Sequence, residues 1–244
     1  MDKLYQKNEL TFAIIWIVIY VVAMSLADMF SAMIGIEKVL TAPIAIGISV
    51  FLIVWIIKKG LGEKYGLTKG KIDIVRYLFF IPLILMVSVN FWGGVALNFS
   101  PLETVLFVIS MLGVGFMEEI IFRGFLFKAL LKDNLKMAII ISSVTFGIGH
   151  VINLINGADL VPTLLQICYA IAGGFMFTII FYKSGTLIPC IVAHSLINAT
   201  SAFEGQTSLT LNIITAVVLT VVSVGYAIWL WKGIKTDENQ NIKV

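Results

Sequence analysis

Charge is what this chain has least of. Asp, Glu, Lys and Arg make up 13% of its 244 residues, where soluble proteins carry about 25%. So few ionic side chains leave no room for a sizeable solvated domain. Cysteine is scarce too: Cys168 and Cys190 both fall in apolar stretches, so neither a disulfide framework nor a paired-cysteine metal site is expected. Histidine occurs twice, at His150 and His194. The motif H-E-x-x-H, which presents two imidazoles on one helix face for zinc, does not occur. No internal repeat, low-complexity segment or soluble linker divides the chain. The N-terminus does not read as a cleaved leader, because the apolar run from Thr11 is too long and small-residue cleavage signals are weak. The net charge of +3 is modest, and nucleic acid is not an expected partner.

Apolar residues fill what charge leaves vacant, at 59% of the chain. Read against a bilayer that needs about 20 mainly apolar residues per helix, the sequence predicts an all-α, polytopic protein. Its eight spans fall near 10–31, 40–58, 74–96, 104–131, 137–155, 162–182, 186–203 and 209–231. Pro162 and Pro189 suit first helical turns. The whole of 1–244 reads as one membrane domain.

Basic residues then set an orientation, because cytoplasmic loops are enriched in Lys and Arg. Lys3 and Lys7 precede the first span, and Lys58, Lys59, Lys64, Lys69, Lys71 and Arg76 surround the loop between the second and third. Lys128, Lys132, Lys136, Lys183, Lys232, Lys235 and Lys243 fall in later loops of the same parity, whereas the alternate loops hold only Lys38. Both termini are therefore expected in the cytoplasm. A multi-pass protein of a bacterial cytoplasmic membrane is the expected setting.

One basic residue belongs to neither side. Arg123 lies in Glu118-Glu119-Ile120-Ile121-Phe122-Arg123, within the fourth span. Charge at membrane depth costs at least about 2.5–3.5 kcal/mol, so it persists where it is paired or does chemistry. Glu118 lies ten residues before Lys128, about 15 Å along a helix. His150 lies fourteen residues past Lys136, about 21 Å, and His194 eleven past Lys183, about 16 Å. Both histidines thus reach the depth of the glutamates from the same side. Glu119 and Arg123, four apart, share a face and can neutralise each other. Glu118 points about 100° away, and its own i+4 neighbour is Phe122. One carboxylate is thereby left for a proton or a metal. Phe146 and His150 share a face, as do His194 and Asn198, and Gly147 and Gly149 would let a backbone or substrate approach.

Each feature alone has a plainer reading. A membrane His or Asn is commonly interhelical glue, and a Glu–Arg pair can be purely structural. Asn153, Asn156 and Gln166 are read as glue or helix-end residues. It is the convergence of Glu118, Glu119, Arg123, His150, His194 and Asn198 on three helices that points to catalysis. The first hundred residues show no ionisable side chain deep in a span, so the site is expected in the second half.

The order E-E-x-x-x-R, F-x-x-x-H, H-x-x-x-N, each on its own membrane helix, closely resembles the CAAX prenyl endopeptidase and bacteriocin-processing (CPBP, or Abi) family. The motifs are Glu118 to Arg123, Phe146 to His150 and His194 to Asn198, within a core of about 104–200. Residues 1–100 match only as generic flanking helices. The resemblance implies an eight-helix intramembrane endopeptidase acting on a membrane-associated protein or peptide. By that resemblance Glu118 is the general base for water, and His150 helps hold the water. His194 and Asn198 coordinate or stabilise the tetrahedral intermediate, and Glu119 and Arg123 form a supporting pair. Zinc bound by Glu118, His150 and His194 and a metal-independent, glutamate-only mechanism both remain open, since two histidines and a carboxylate are a common catalytic zinc set. Two other functions compete: a bacteriocin self-immunity or scaffold protein that binds without cleaving, and a proton-coupled transporter. The second usually brings internal repeats and paired interrupted helices, which are absent. The residues leave open the substrate, its prenylation and the oligomeric state.

Overall fold

The computed structural model describes residues 1–68 and 80–233, and these are helical throughout apart from loops and a single isolated bridge between Val95 and Glu204. Lys69, Lys71, Arg76, Lys235, Lys243 and the first part of the expected third span lie outside the described residues. A short helix α1 (Asp2–Lys7) leads into α2 (Glu9–Ile34), which is started by Asn8 accepting from the Thr11 N–H at 2.8 Å. Then follow α3 (Thr41–Lys58), α4 (Phe80–Ser88) and α5 (Pro101–Leu131). Ser100 and Glu103 close a capping box at the start of α5, with Pro101 in the first turn, where its missing N–H is no loss. Beyond it lie α6 (Leu135–Gly149), α7 (Leu160–Ser184), α8 (Ile188–Thr200) and α9 (Leu209–Gly233).

Six of the described helices are long and apolar enough to cross a membrane, two fewer than the sequence suggests. Within the described residues the third and seventh expected positions carry the apolar helices Ile81–Phe91 and Ile188–Phe203, the start of the third expected span lying outside them. The first of these stops where Gly93 and Gly94 follow, Gly94 at φ 93°, a backbone state side chains disfavour. The chain from there to Asn98 runs across α8's far end instead. The Asn98 amide donates to the carbonyls of Ala202 and Glu204. The expected fifth span is met by Leu135–Ile155, with a turn after Gly149 before its last helical turn, Ile152–Ile155.

Burial ranks the helices. About half of the apolar window is buried in α5 (50%) and α7 (56%), but only 28–33% in α2, α3, α9 and Leu135–Ile155. A helix apolar all round but buried on one side must meet lipid on the other, and residues such as Ile14, Val18, Ile57, Val217 and Val221 lie exposed for that purpose. α5 and α7 form the centre, with α3 and α8 against α5 and α6 and α9 against α7. At one end of the bundle Asp2 pairs with Lys59, and Glu9 with Lys64 (2.7 Å) and Lys132 (3.1 Å). At the other end of α2, Lys38 pairs with Asp28 at 2.9 Å. Lysines that the sequence assigns to opposite sides thus stand at opposite ends of one helix.

Candidate active site

The charged motif changes the helix that carries it. α5 is α-helical through Glu118 and then widens into a π-helix over Glu119–Phe127 before its last α turn. π segments are rare and often mark functional sites. From α6 the Ser142 hydroxyl donates to the Phe122 carbonyl at 2.8 Å inside the widened segment, giving that carbonyl a partner outside its own helix. All nine residues of that segment are buried.

Glu119 and Arg123 pair there at 2.8 Å, both completely buried. The guanidinium lies over the Phe146 ring of α6, its Cζ 4.1 Å from the centroid, a cation–π contact. Room for it comes from Gly174 of α7, where a Cβ would stand 3.1 Å from Arg123 Nη2 and 3.2 Å from Phe146 Cδ1. Arg123 Nε and Nη2 and Glu119 Oε2 have no hydrogen-bond partner among the described residues.

His194, on α8, joins the two glutamates. Its Nδ1 lies 2.8 Å from Glu119 Oε1 and its Nε2 3.2 Å from Glu118 Oε2. Glu118, expected to stand without a partner, therefore has one from another helix, which i+4 spacing cannot reveal. Neutral imidazole has one N–H. Two carboxylate contacts therefore call for a proton on both nitrogens, or one on a carboxyl group. With both nitrogens protonated, the two carboxylates, Arg123 and His194 sum to zero charge.

His150 sits beside this chain rather than in it. It caps the C-terminal end of α6, with Nδ1 3.2 Å from the Phe146 carbonyl. That contact, as a donated N–H, leaves Nε2 as the acceptor. The Phe146 ring presents its face or edge to His150, His194 and Arg123, with centroid distances of 5.3 and 5.4 Å to the two imidazoles. The conspicuous part of F-x-x-x-H is thus the Phe, which spaces three polar groups. Asn198 lies one turn beyond His194 and is half-buried, and no hydrogen bond links its amide to the other five residues. Asn153 bonds Gln166 at 2.9 Å, the glue expected of it, and Gly147 lets Ile171 of α7 approach. Cys168 and Cys190 are both free.

One member escaped the sequence reading. The Tyr20 hydroxyl, from α2, donates to Glu118 Oε1 at 2.7 Å. Nothing local marks this tyrosine. Depth does: it lies eleven residues into the membrane from Glu9, about 16 Å, level with Glu118.

No three His, Cys, Asp or Glu side chains gather closely enough to hold a metal ion among the described residues. Both nitrogens of His194 are already turned to carboxylates. As placed, Glu118, His150 and His194 do not make a zinc set, and the chemistry below is derived from the chain's own groups.

Comparison with protein families gives a match over residues 100–200, to the family described as type II CAAX prenyl endopeptidase, Rce1-like. No curated protein and no solved structure matches the chain. The match covers less than half of the chain but spans all three motifs and the helices that bring them together, and it supports placing this multi-pass membrane protein in the CAAX prenyl endopeptidase and bacteriocin-processing family.

Proposed function

We propose that the protein is an intramembrane endopeptidase that hydrolyses a peptide bond of a membrane-associated protein or peptide. The observation that carries this reading is the buried chain Arg123–Glu119–His194–Glu118 inside the family-matched segment. Peptide hydrolysis needs a base for water and donors for the oxyanion. Glu118 takes the proton of a water held with His150, and the resulting hydroxide adds to the scissile carbonyl carbon. Once protonated, Glu118 accepts less strongly from His194 Nε2–H, and that N–H turns with the Asn198 amide to the oxyanion. As the C–N bond breaks, Glu118 returns the proton to the leaving amine. Glu119, fixed by Arg123, holds His194 by its Nδ1 and so aims Nε2 at Glu118.

Comparing protein termini in membranes from cells making the wild type or Glu118→Gln tests this. New termini should appear with the wild type and vanish with the variant. Identical termini in both would sink the proposal. An immunity or scaffold protein acting by binding alone would keep its cellular effect in Glu118→Ala.

The reading also includes a topology: eight spans, both termini cytoplasmic, and a water-filled cavity around Glu118, His150 and His194 open to that side. It is supported by the basic residues of one parity standing with the N-terminus at one end. Single cysteines at 118, 150 and 194, in a background lacking Cys168 and Cys190, should react with an impermeant thiol reagent in inverted vesicles and not in intact cells. The reverse pattern would overturn the orientation.

A further inference from the structure

Glu118 has two oxygens, and different halves of the molecule hold them. Oε2 faces His194 Nε2 at 3.2 Å, within the family-matched segment. Oε1 accepts from Tyr20 at 2.7 Å, across 98 residues of sequence. Tyr20 falls one turn after Trp16 and one before Met24, both buried, on the face that α2 turns inward. It is also level with the site. A flexible carboxylate held at one oxygen can rotate about its side-chain bonds. Held at both, it has one orientation, and a general base must be oriented before its basicity counts.

We infer that Tyr20 is a positioning residue for the general base: its O–H fixes Glu118 Oε1, so that the carboxylate presents one constant face to water and His194. This rests on the endopeptidase reading. It makes α2, which lies outside the family match, an obligatory part of the site rather than a flanking helix. It also separates two roles around one carboxylate: His194 shares a proton with Glu118, while Tyr20 holds it still without entering the proton's path.

Tyr20→Phe removes the hydroxyl and keeps the ring, so packing on the inward face is preserved. Measured on a peptide that the purified wild type cleaves, it should lower kcat by about 10²-fold, the scale for a misplaced catalytic group. KM should stay within about twofold of wild type, since binding is untouched. A wild-type kcat, or a loss that falls on KM, overturns the inference. Glu118→Gln, run alongside, keeps the two proposals apart. If it cleaves like the wild type, the general-base reading falls and the role of Tyr20 with it; if it is dead, Tyr20→Phe decides alone. A second measurement needs no activity. Melting temperatures of Tyr20→Phe, Glu118→Ala and the double variant should be non-additive, with the double variant no less stable than Glu118→Ala. Additive losses would show that the two side chains are not bonded.

Discussion

α5 is two regions joined at residue 118. Before the junction, from Pro101 to Glu118, it is an ordinary α-helix with only Ser110, Gly115 and Met117 buried. After it, from Glu119 to Phe127, it is a π-helix with every residue buried. The two glutamates straddle that boundary. The Glu118 side chain keeps 12% of its surface open, whereas Glu119 keeps none. Neighbours in sequence thus live in different solvents. A group that must meet water and substrate needs the first environment, and a group that must fix a buried guanidinium needs the second. The difference predicts that mutations at adjacent positions fail in different ways.

The largest expected effect is on turnover. Glu118→Gln should reduce kcat by about 10²–10⁴-fold, the usual worth of a general base, while the purified protein melts near the wild-type temperature. Cleavage at the wild-type rate would erase the distinction between the two glutamates. Next comes stability on the buried side. Glu119→Ala and Arg123→Ala each leave an uncompensated buried charge, a loss of about 3–5 kcal/mol in soluble proteins. Both should melt well below wild type in detergent as well as losing activity. The double replacement Glu119→Leu with Arg123→Met should recover much of the stability and none of the activity. Melting temperatures unchanged in both single variants would show that the pair contributes nothing.

A smaller effect is expected one helix away. Gly174→Ala pushes a methyl against the guanidinium and the Phe146 ring, and should cost about 1–3 kcal/mol, the usual range for overpacking. Gly225 of α9, with nothing within 4 Å of a Cβ, is the control. Gly225→Ala should be neutral or slightly stabilising, and equal melting curves for the two variants would refute a crowded site. The smallest effect lies outside the membrane. The hydrogen bond from Lys59, and a second from Trp55, hold the Asp2 carboxyl below its usual range. A lowered carboxyl contributes stability above its unfolded-state value, and that contribution is lost as pH falls through the folded one. Asp2→Asn should therefore shift melting slightly at neutral pH and not at all in strong acid. A shift that persists in acid would assign the effect to something other than the ion pair.

Much of this was decided by the sequence alone. Scarce charge and long apolar runs require helices in a bilayer, because backbone groups in lipid must bond within their own segment. The Glu119–Arg123 pair was legible from i+4 spacing, which survives the change to a wider turn. The common depth of Glu118 and His194 was legible from residue counts against flanking lysines. Three things were not. The π-helix carries a bond from Ser142 of α6 to Phe122's carbonyl, and local propensity carries no trace of a neighbour's hydroxyl. The partners of Glu118 come from α2 and α8, so neither appears at any helical spacing from it. The end of the third helix at Phe91 goes with a backbone that crosses to α8's far end, where Asn98 bonds the carbonyls of Ala202 and Glu204. In each case the deciding bond joins segments far apart in the chain. Periodicity and depth describe one helix at a time, and only packing chooses which helix supplies the other half of the bond.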